Sequence, residues 1–270
     1  MKEQNFSGVL DLPFDEEMQD KYFEKVKVQL AEMPPRPRAR MLLDDNSLSA
    51  SRGAGGVDTS VVGQSLVVFD DKLGEDDKQD ALDSQAFAEA ILRRMPKGSS
   101  QEQQYAAYNE ALSAIGWVTE SYTRKTYDSK KTTLTMNDAI LQVLETVVSA
   151  SSGNVLGMVA AGFDKLKGDK PALKIVDTSS KRTDLVSFKA VPCIVAPGGG
   201  MAMVMGAVDV YSKNFDGDYL FFTFKTEGIH LFQSAAIRKF NKRAFGRKRQ
   251  MVYDFIDQND DGLFKKLTGM

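Results

Sequence analysis

The sequence is short of the residues that most often announce a chemistry. In 270 residues it has one cysteine, Cys193, one histidine, His230, and one tryptophan, Trp117. A single cysteine closes no internal disulfide, and one thiolate with one imidazole falls two ligands short of a structural zinc site. No metal is therefore expected. There is no run of about twenty uncharged apolar residues, which excludes a conventional membrane-spanning helix. The formal net charge is only −2, so attraction to nucleic acid or anionic lipid has to come from a local patch. The first residues, Met1-Lys2-Glu3-Gln4-Asn5-Phe6, carry neither the apolar core of a secretory signal nor the glycine of a myristoylation signal.

What is present is ordinary in bulk: 42% apolar and 27% charged residues, enough to bury a core in one large or two intertwined small domains. Met18, Tyr22, Phe23, Val26 and Leu30 recur at helical spacing and predict a helix over Glu16–Met33, stopped by Pro34-Pro35-Arg36-Pro37. Asp44–Ser60 reads as a loop and Val61–Phe69 as a strand. Helices are expected over Lys78–Met95 and Ser99–Ile115, and a strand over Trp117–Tyr127. The acidic run Asp70 to Asp77 suits the N-terminus of the first of these helices, where the macrodipole favours negative charge. Asn137–Leu166 is apolar and helical in pattern, and its Gly153–Gly157 spacing matches a close helix-packing motif of membranes.

From Ala172 the pattern turns to β. Strands are predicted at Ala172–Asp177, Leu185–Val195, Met201–Tyr211 and Tyr219–Lys225, with turns at Pro197–Gly200 and Asn214–Asp218. A helix over Gln233–Ile256 closes the chain. The expected fold class is α+β (mixed α/β), with an antiparallel meander in the C-terminal half packed by several helices in an unusual topology. Residues 1–135 form a mainly helical part with one or two strands; residues 136–270 carry the apolar helices, the meander and a basic helix.

Four features bear on function. Arg238, Lys239, Lys242, Arg243, Arg247, Lys248 and Arg249 crowd into the last predicted helix. They read as a solvated face paired with acids, as a patch for a lipid membrane surface at about 1 kcal/mol per residue near the surface, or as a phosphate patch for nucleic acid; of the last two, lipid is the expected partner and nucleic acid is not. Asp257-Gln258-Asn259-Asp260-Asp261-Gly262 resembles the first half of a calcium loop but lacks the closing glutamate, so a polar turn is expected. Gly198-Gly199-Gly200 lacks the Lys-Ser/Thr of a phosphate loop and allows a bend or the close approach of a bulky group such as a hydrocarbon chain.

Cys193 is the fourth. Its setting, Ala190-Val191-Pro192-Cys193-Ile194-Val195-Ala196-Pro197, is the most apolar in the chain. Apolar surroundings raise a thiol's pKa and disfavour redox or nucleophilic work. They suit either an inert buried thiol or an S-acyl thioester shielded from water. A C16 chain brings about fourteen methylenes at about 0.8 kcal/mol each, on the order of 11 kcal/mol when buried. A Cys193–His230 dyad oriented by Glu227 or Asp209 would make an acyltransferase or hydrolase, and an inserting hairpin at Asn137–Phe163 would make a pore-forming or membrane-permeabilising toxin. Turnover is not expected.

With its size and a central cysteine in an apolar β segment (Val191-Pro192-Cys193-Ile194-Val195) three-quarters along the chain, the sequence resembles the Evf (Erwinia virulence factor) family. The resemblance implies a non-enzymatic bacterial virulence factor that promotes persistence in an insect gut. It implies palmitate attached covalently to Cys193 as a thioester, and action at host membranes. The chain is then expected to be made in the bacterial cytoplasm without a conventional signal peptide.

Overall fold

The computed structural model describes residues 6–7, 14–31, 57–96, 98–126, 133–148, 154–182, 185–211, 224–225, 230–258 and 264–267. In chain order the elements are β1 (Phe6–Ser7), α1 (Glu16–Ala31), β2 (Asp58–Val62), β3 (Ser65–Phe69), α2 (Glu75–Arg94), α3 (Gln101–Ala114), β4 (Trp117–Thr126) and β5 (Thr133–Leu134). There follow α4 (Met136–Glu145), α5 (Val155–Gly168), α6 (Lys170–Ser180), β6 (Lys181–Arg182), β7 (Leu185–Val195), β8 (Met201–Tyr211), β9 (Phe224–Lys225), β10 (His230–Phe240), α7 (Lys242–Asp257) and β11 (Phe264–Leu267). The fold is α+β. Expectations at Pro34–Pro37, Asn214–Asp218, Glu227, Gly153 and 259–262, and most of those at 44–60 and 219–225, fall outside the described residues.

One sheet runs β1-β4-β10-β8-β7-β3-β2-β11, with β6 also paired to β7. The β7–β8–β10 meander and its continuation to β4 are antiparallel, whereas β3 joins β7 in parallel. Side chains alternate strictly between two apolar cores. On β7 and β8, Val191, Cys193, Met201, Met203, Met205 and Ala207 face the core built with α1, α2, α3 and α7. Phe188, Ala190, Ile194, Ala202, Val204 and Val208 face the core built with α4, α5 and α6. A sheet covered on both faces needs apolar residues at consecutive positions, which is why these strands read as apolar runs interrupted only by Ser187, Lys189 and Asp209.

Three expectations are corrected. Val61–Phe69 is a hairpin: Gly63, at φ +58°, turns the chain between β2 and β3. Ala172–Asp177 lies inside α6, where Ala172, Val176 and Ser180 form a buried stripe at four-residue spacing, Asp169 accepts the Ala172 N–H at 3.0 Å, and Pro171 sits in the first turn. Gln233–Phe240 belongs to β10, laddered on both sides by β8 and β4, and α7 starts only after the Asn241 cap, which accepts the Ala244 N–H at 3.1 Å. In each case tertiary pairing or capping overrode a short-range pattern.

Of the Gly153–Gly157 pair only Gly157 is described, and close packing of helix on sheet is found at Gly162 and Gly206. A Cβ on Gly157 would meet the side chain of its own cap residue, Asn154. A Cβ on Gly162 would lie 2.6 Å from Val68 Cγ1, and one on Gly206 would lie 2.7 Å from Leu144 Cγ, so α5 sits directly on β3 and α4 on β8. We expect Gly162→Ala to cost about 1–3 kcal/mol through overpacking, measured as a fall in urea midpoint with unchanged slope.

Candidate functional site around Cys193

Cys193 lies mid-sheet, opposite Met203 on β8 and Phe69 on β3. Its exposure is 0%. The β7–β8 ladder pairs Ala190 with Gly206 and next pairs Cys193 with Met203. Pro192 has no N–H to give, so the pairing lapses just before the cysteine. Burial pushes the thiol well above its ordinary range; Sγ rests 3.8 Å from the Val191 carbonyl oxygen.

The Cys–His dyad is ruled out by register. Cys193 aligns with Met203 and His230 with Tyr211, eight residues further along β8, a separation of about 26 Å at roughly 3.3 Å per residue. Asp209, a proposed orienting acid, is committed elsewhere. It is fully buried and accepts from Ser187 Oγ at 2.6 Å, Gln101 Nε2 at 2.7 Å and Arg124 Nη1 at 3.2 Å. Burial raises its carboxyl pKa against the opposing pull of Arg124.

The wall facing Cys193 is partly polar. Gln85 on α2 donates to Met203 Sδ at 3.2 Å and accepts from the Tyr108 hydroxyl of α3. One step along, Lys189 of β7 pairs with Glu89 of α2, both almost fully buried; Glu89 also accepts from Ser65 Oγ at 2.9 Å, and Lys189 Nζ lies 4.3 Å from the Tyr108 ring centre. Sequence reasoning missed this network. Its signal was Lys189 and Asp209 standing alone inside apolar strands, since a charge buried there needs a partner.

The basic cluster does not form one cationic face. Arg238 is on β10, at 0% exposure, and donates to Asn109 of α3. Lys239 pairs with Glu120 at 2.6 Å, Lys242 with Asp77 at 2.7 Å and Arg249 with Asp80 at 2.8 Å. Lys248 pairs with Asp20, and Arg247 donates to Gln19 at 3.0 Å. Arg243 is exposed. These side chains fasten α7 to α1 and α2 and β10 to β4, and a lipid-facing patch built from all seven is corrected accordingly.

The hairpin envisaged at Asn137–Phe163 is the α4–α5 pair. At 10 and 14 residues the helices are about 15 and 21 Å long, short of a hydrocarbon core of about 30 Å. No helix among the described residues is long and apolar enough to cross a membrane. The three glycines after β7 form a bend, all at φ between +79° and +93°, with open space around each. Among the described residues no group of three or more His, Cys, Asp or Glu side chains could hold a metal ion.

No protein-family profile matches the chain, and no curated protein matches its sequence. Solved structures do align with it. The activated Cyt2Ba monomer of Bacillus thuringiensis subsp. israelensis is 13% identical, at a TM-score of 0.40, over 65% of this chain and 97% of that one. A delta-endotoxin is 14% identical, at a TM-score of 0.37, over 67% and 84%. The Evf virulence factor, of the family that the sequence resembles, is 9% identical, at a TM-score of 0.35, over 89% of each chain.

Two outcomes follow from the buried charges. Lys189→Met alone strands the Glu89 carboxylate and should cost about 3–5 kcal/mol, while adding Glu89→Leu should recover more than half of that loss in urea unfolding. Asp83, on α2 beside Asp80 and facing Arg249 and Tyr253 of α7, has its pKa raised to about 6, mainly by burial. The folded state then holds this proton more tightly than the unfolded chain, so the Asp83 contribution falls as pH rises from about 4 to 6. Asp83→Asn should raise the urea midpoint at pH 7.5 and leave it little changed at pH 4.

Proposed function

We propose that this protein is a virulence or toxin-like protein acting at host membranes, with Cys193 carrying a palmitoyl thioester. The observation that carries the reading is the setting of Cys193. It sits without solvent exposure within four contiguous antiparallel strands, β4, β10, β8 and β7, each 10 or 11 residues long. That is the length a strand needs to cross a bilayer, about 9–11 residues. The helices over each face are amphipathic coverings, so a lipid surface could replace them as the apolar partner. The lipid membrane is the partner in this reading, and persistence in an insect gut is the role that the sequence resemblance suggests.

Acylation would form a bond between Cys193 Sγ and the acyl carbonyl of a thioester donor. The donor's own S–C bond breaks, and the thiol proton ends on the leaving thiol. Because the thiol is buried and its pKa raised, the reaction requires α2 and α3 to stand away from the sheet, during folding or opening. Once formed, the thioester needs no catalytic neighbour, and the chain lies in an apolar environment worth on the order of 11 kcal/mol for C16.

Intact-mass spectrometry of protein purified from its native cells tests the thioester. The expected result is an added palmitoyl mass that hydroxylamine removes and Cys193→Ser abolishes; an unmodified mass contradicts it. Dye release from anionic liposomes tests the membrane action separately. Leakage that persists in Cys193→Ser would favour permeabilisation by the sheet itself, and an absence of leakage from the wild type would remove permeabilisation.

A further inference from the structure

A small polar cavity lies between the two buried charged networks under α3. Its polar lining is Gln64 of the β2–β3 turn, Gln101, Gln104, Tyr105 and Tyr108 of α3, and Lys189 of β7. All six are buried. Gln101 belongs to the Asp209 network and Lys189 to the pair with Glu89, so the cavity is where the two networks approach each other. Its volume is about 10 Å³, close to that of one water-sized sphere.

The orientation of the Gln101 amide is set by its neighbours. Nε2 donates to Asp209 Oδ1 at 2.7 Å and lies 3.0 Å from Ser187 Oγ, whose own proton goes to Asp209 at 2.6 Å. Turning the amide over would aim Oε1 at a carboxylate and at a hydroxyl oxygen that has no proton left to give, so the network assigns the two atoms. Oε1 is then a buried acceptor, on a side chain only 6% exposed, that receives no hydrogen bond from any described residue. Buried acceptors are satisfied by protein or by ordered water.

We propose that this cavity binds one water molecule, which donates to Gln101 Oε1 and bridges α3 to β7. The lining selects that ligand. The volume admits a single heavy atom. The Lys189 ammonium repels a cation, and the Oε1 lone pair, with the Asp209 and Glu89 carboxylates behind it, repels an anion. A neutral group that both donates and accepts satisfies Oε1 and takes a proton from a donor of the lining. The site is independent of acylation at Cys193 and of membrane binding, since it concerns the folded chain in solution.

A crystal structure of the full chain, grown without ammonium salts and at a resolution that shows ordered solvent, tests the site. The expected result is one solvent peak in the cavity, about 2.5–3.0 Å from Gln101 Oε1. A cavity without ordered density, or a Gln101 Oε1 that accepts from a protein donor instead, overturns the proposal. Oxygen-17 relaxation dispersion in solution counts long-lived internal waters independently of the lattice. Gln101→Met, of similar volume but without the acceptor, should lower that count by one, and an unchanged count in the folded variant overturns the proposal. Should Gln101→Met not fold, the wild-type crystal structure decides alone.

Discussion

The two-faced burial of the central sheet is the constraint from which the rest follows. Strands β7 and β8 put apolar side chains on both faces at nearly every position, so neither face tolerates water and each needs its own helical layer. One layer holds α1, α2, α3 and α7, and the other holds α4, α5 and α6. Gly162 and Gly206 exist at points where a helix backbone lies directly on the sheet, with no room for a Cβ. A protein built this way stores a large apolar surface that only its own helices, or another apolar medium, can cover.

The charged residues are placed to hold those layers down. Lys189 and Glu89 tie β7 to α2 inside the core, Asp209 gathers Gln101 of α3 and Arg124 of β4, and Arg238 ties β10 to α3. Toward the surface, Lys242, Lys248 and Arg249 fasten α7 to its neighbours, with Lys248 and the Asp80 partner of Arg249 themselves buried. A pair exposed on both sides, such as Lys239–Glu120, contributes about 0–1 kcal/mol, whereas the buried ones cost several when broken. The covering layer is thus fixed in register by a few buried pairs and trimmed by weaker ones at its edge. Cys193 lies under that layer, which is why its chemistry and the opening of the layer are one question.

Much of this was legible in the sequence, for identifiable reasons. The bounds of β7 and β8 follow from two apolar runs separated by Pro197 and three glycines, and α2 and α3 follow from helical spacing and the break at Pro96. The burial of Cys193 follows from its neighbours. What could not be read was whatever depends on a distant partner. Gln233 to Phe240, rich in alanine and long side chains, reads as a helix until β4 and β8 are placed beside it. The seven cations read as a patch because Asp20, Asp77, Asp80 and Glu120 are far away in sequence. Lys189 and Glu89 are 100 residues apart, so only the fold reveals that they are one pair.

The central claim is that membranes take over the covering of this sheet from its helices. Hydrogen–deuterium exchange with and without anionic liposomes tests it most directly. The account predicts that amides of α1, α2, α3 and α7 lose protection on vesicle binding, while those of β4, β10, β8 and β7 stay protected. Vesicle binding that leaves helix protection unchanged, or an absence of vesicle binding, would contradict it.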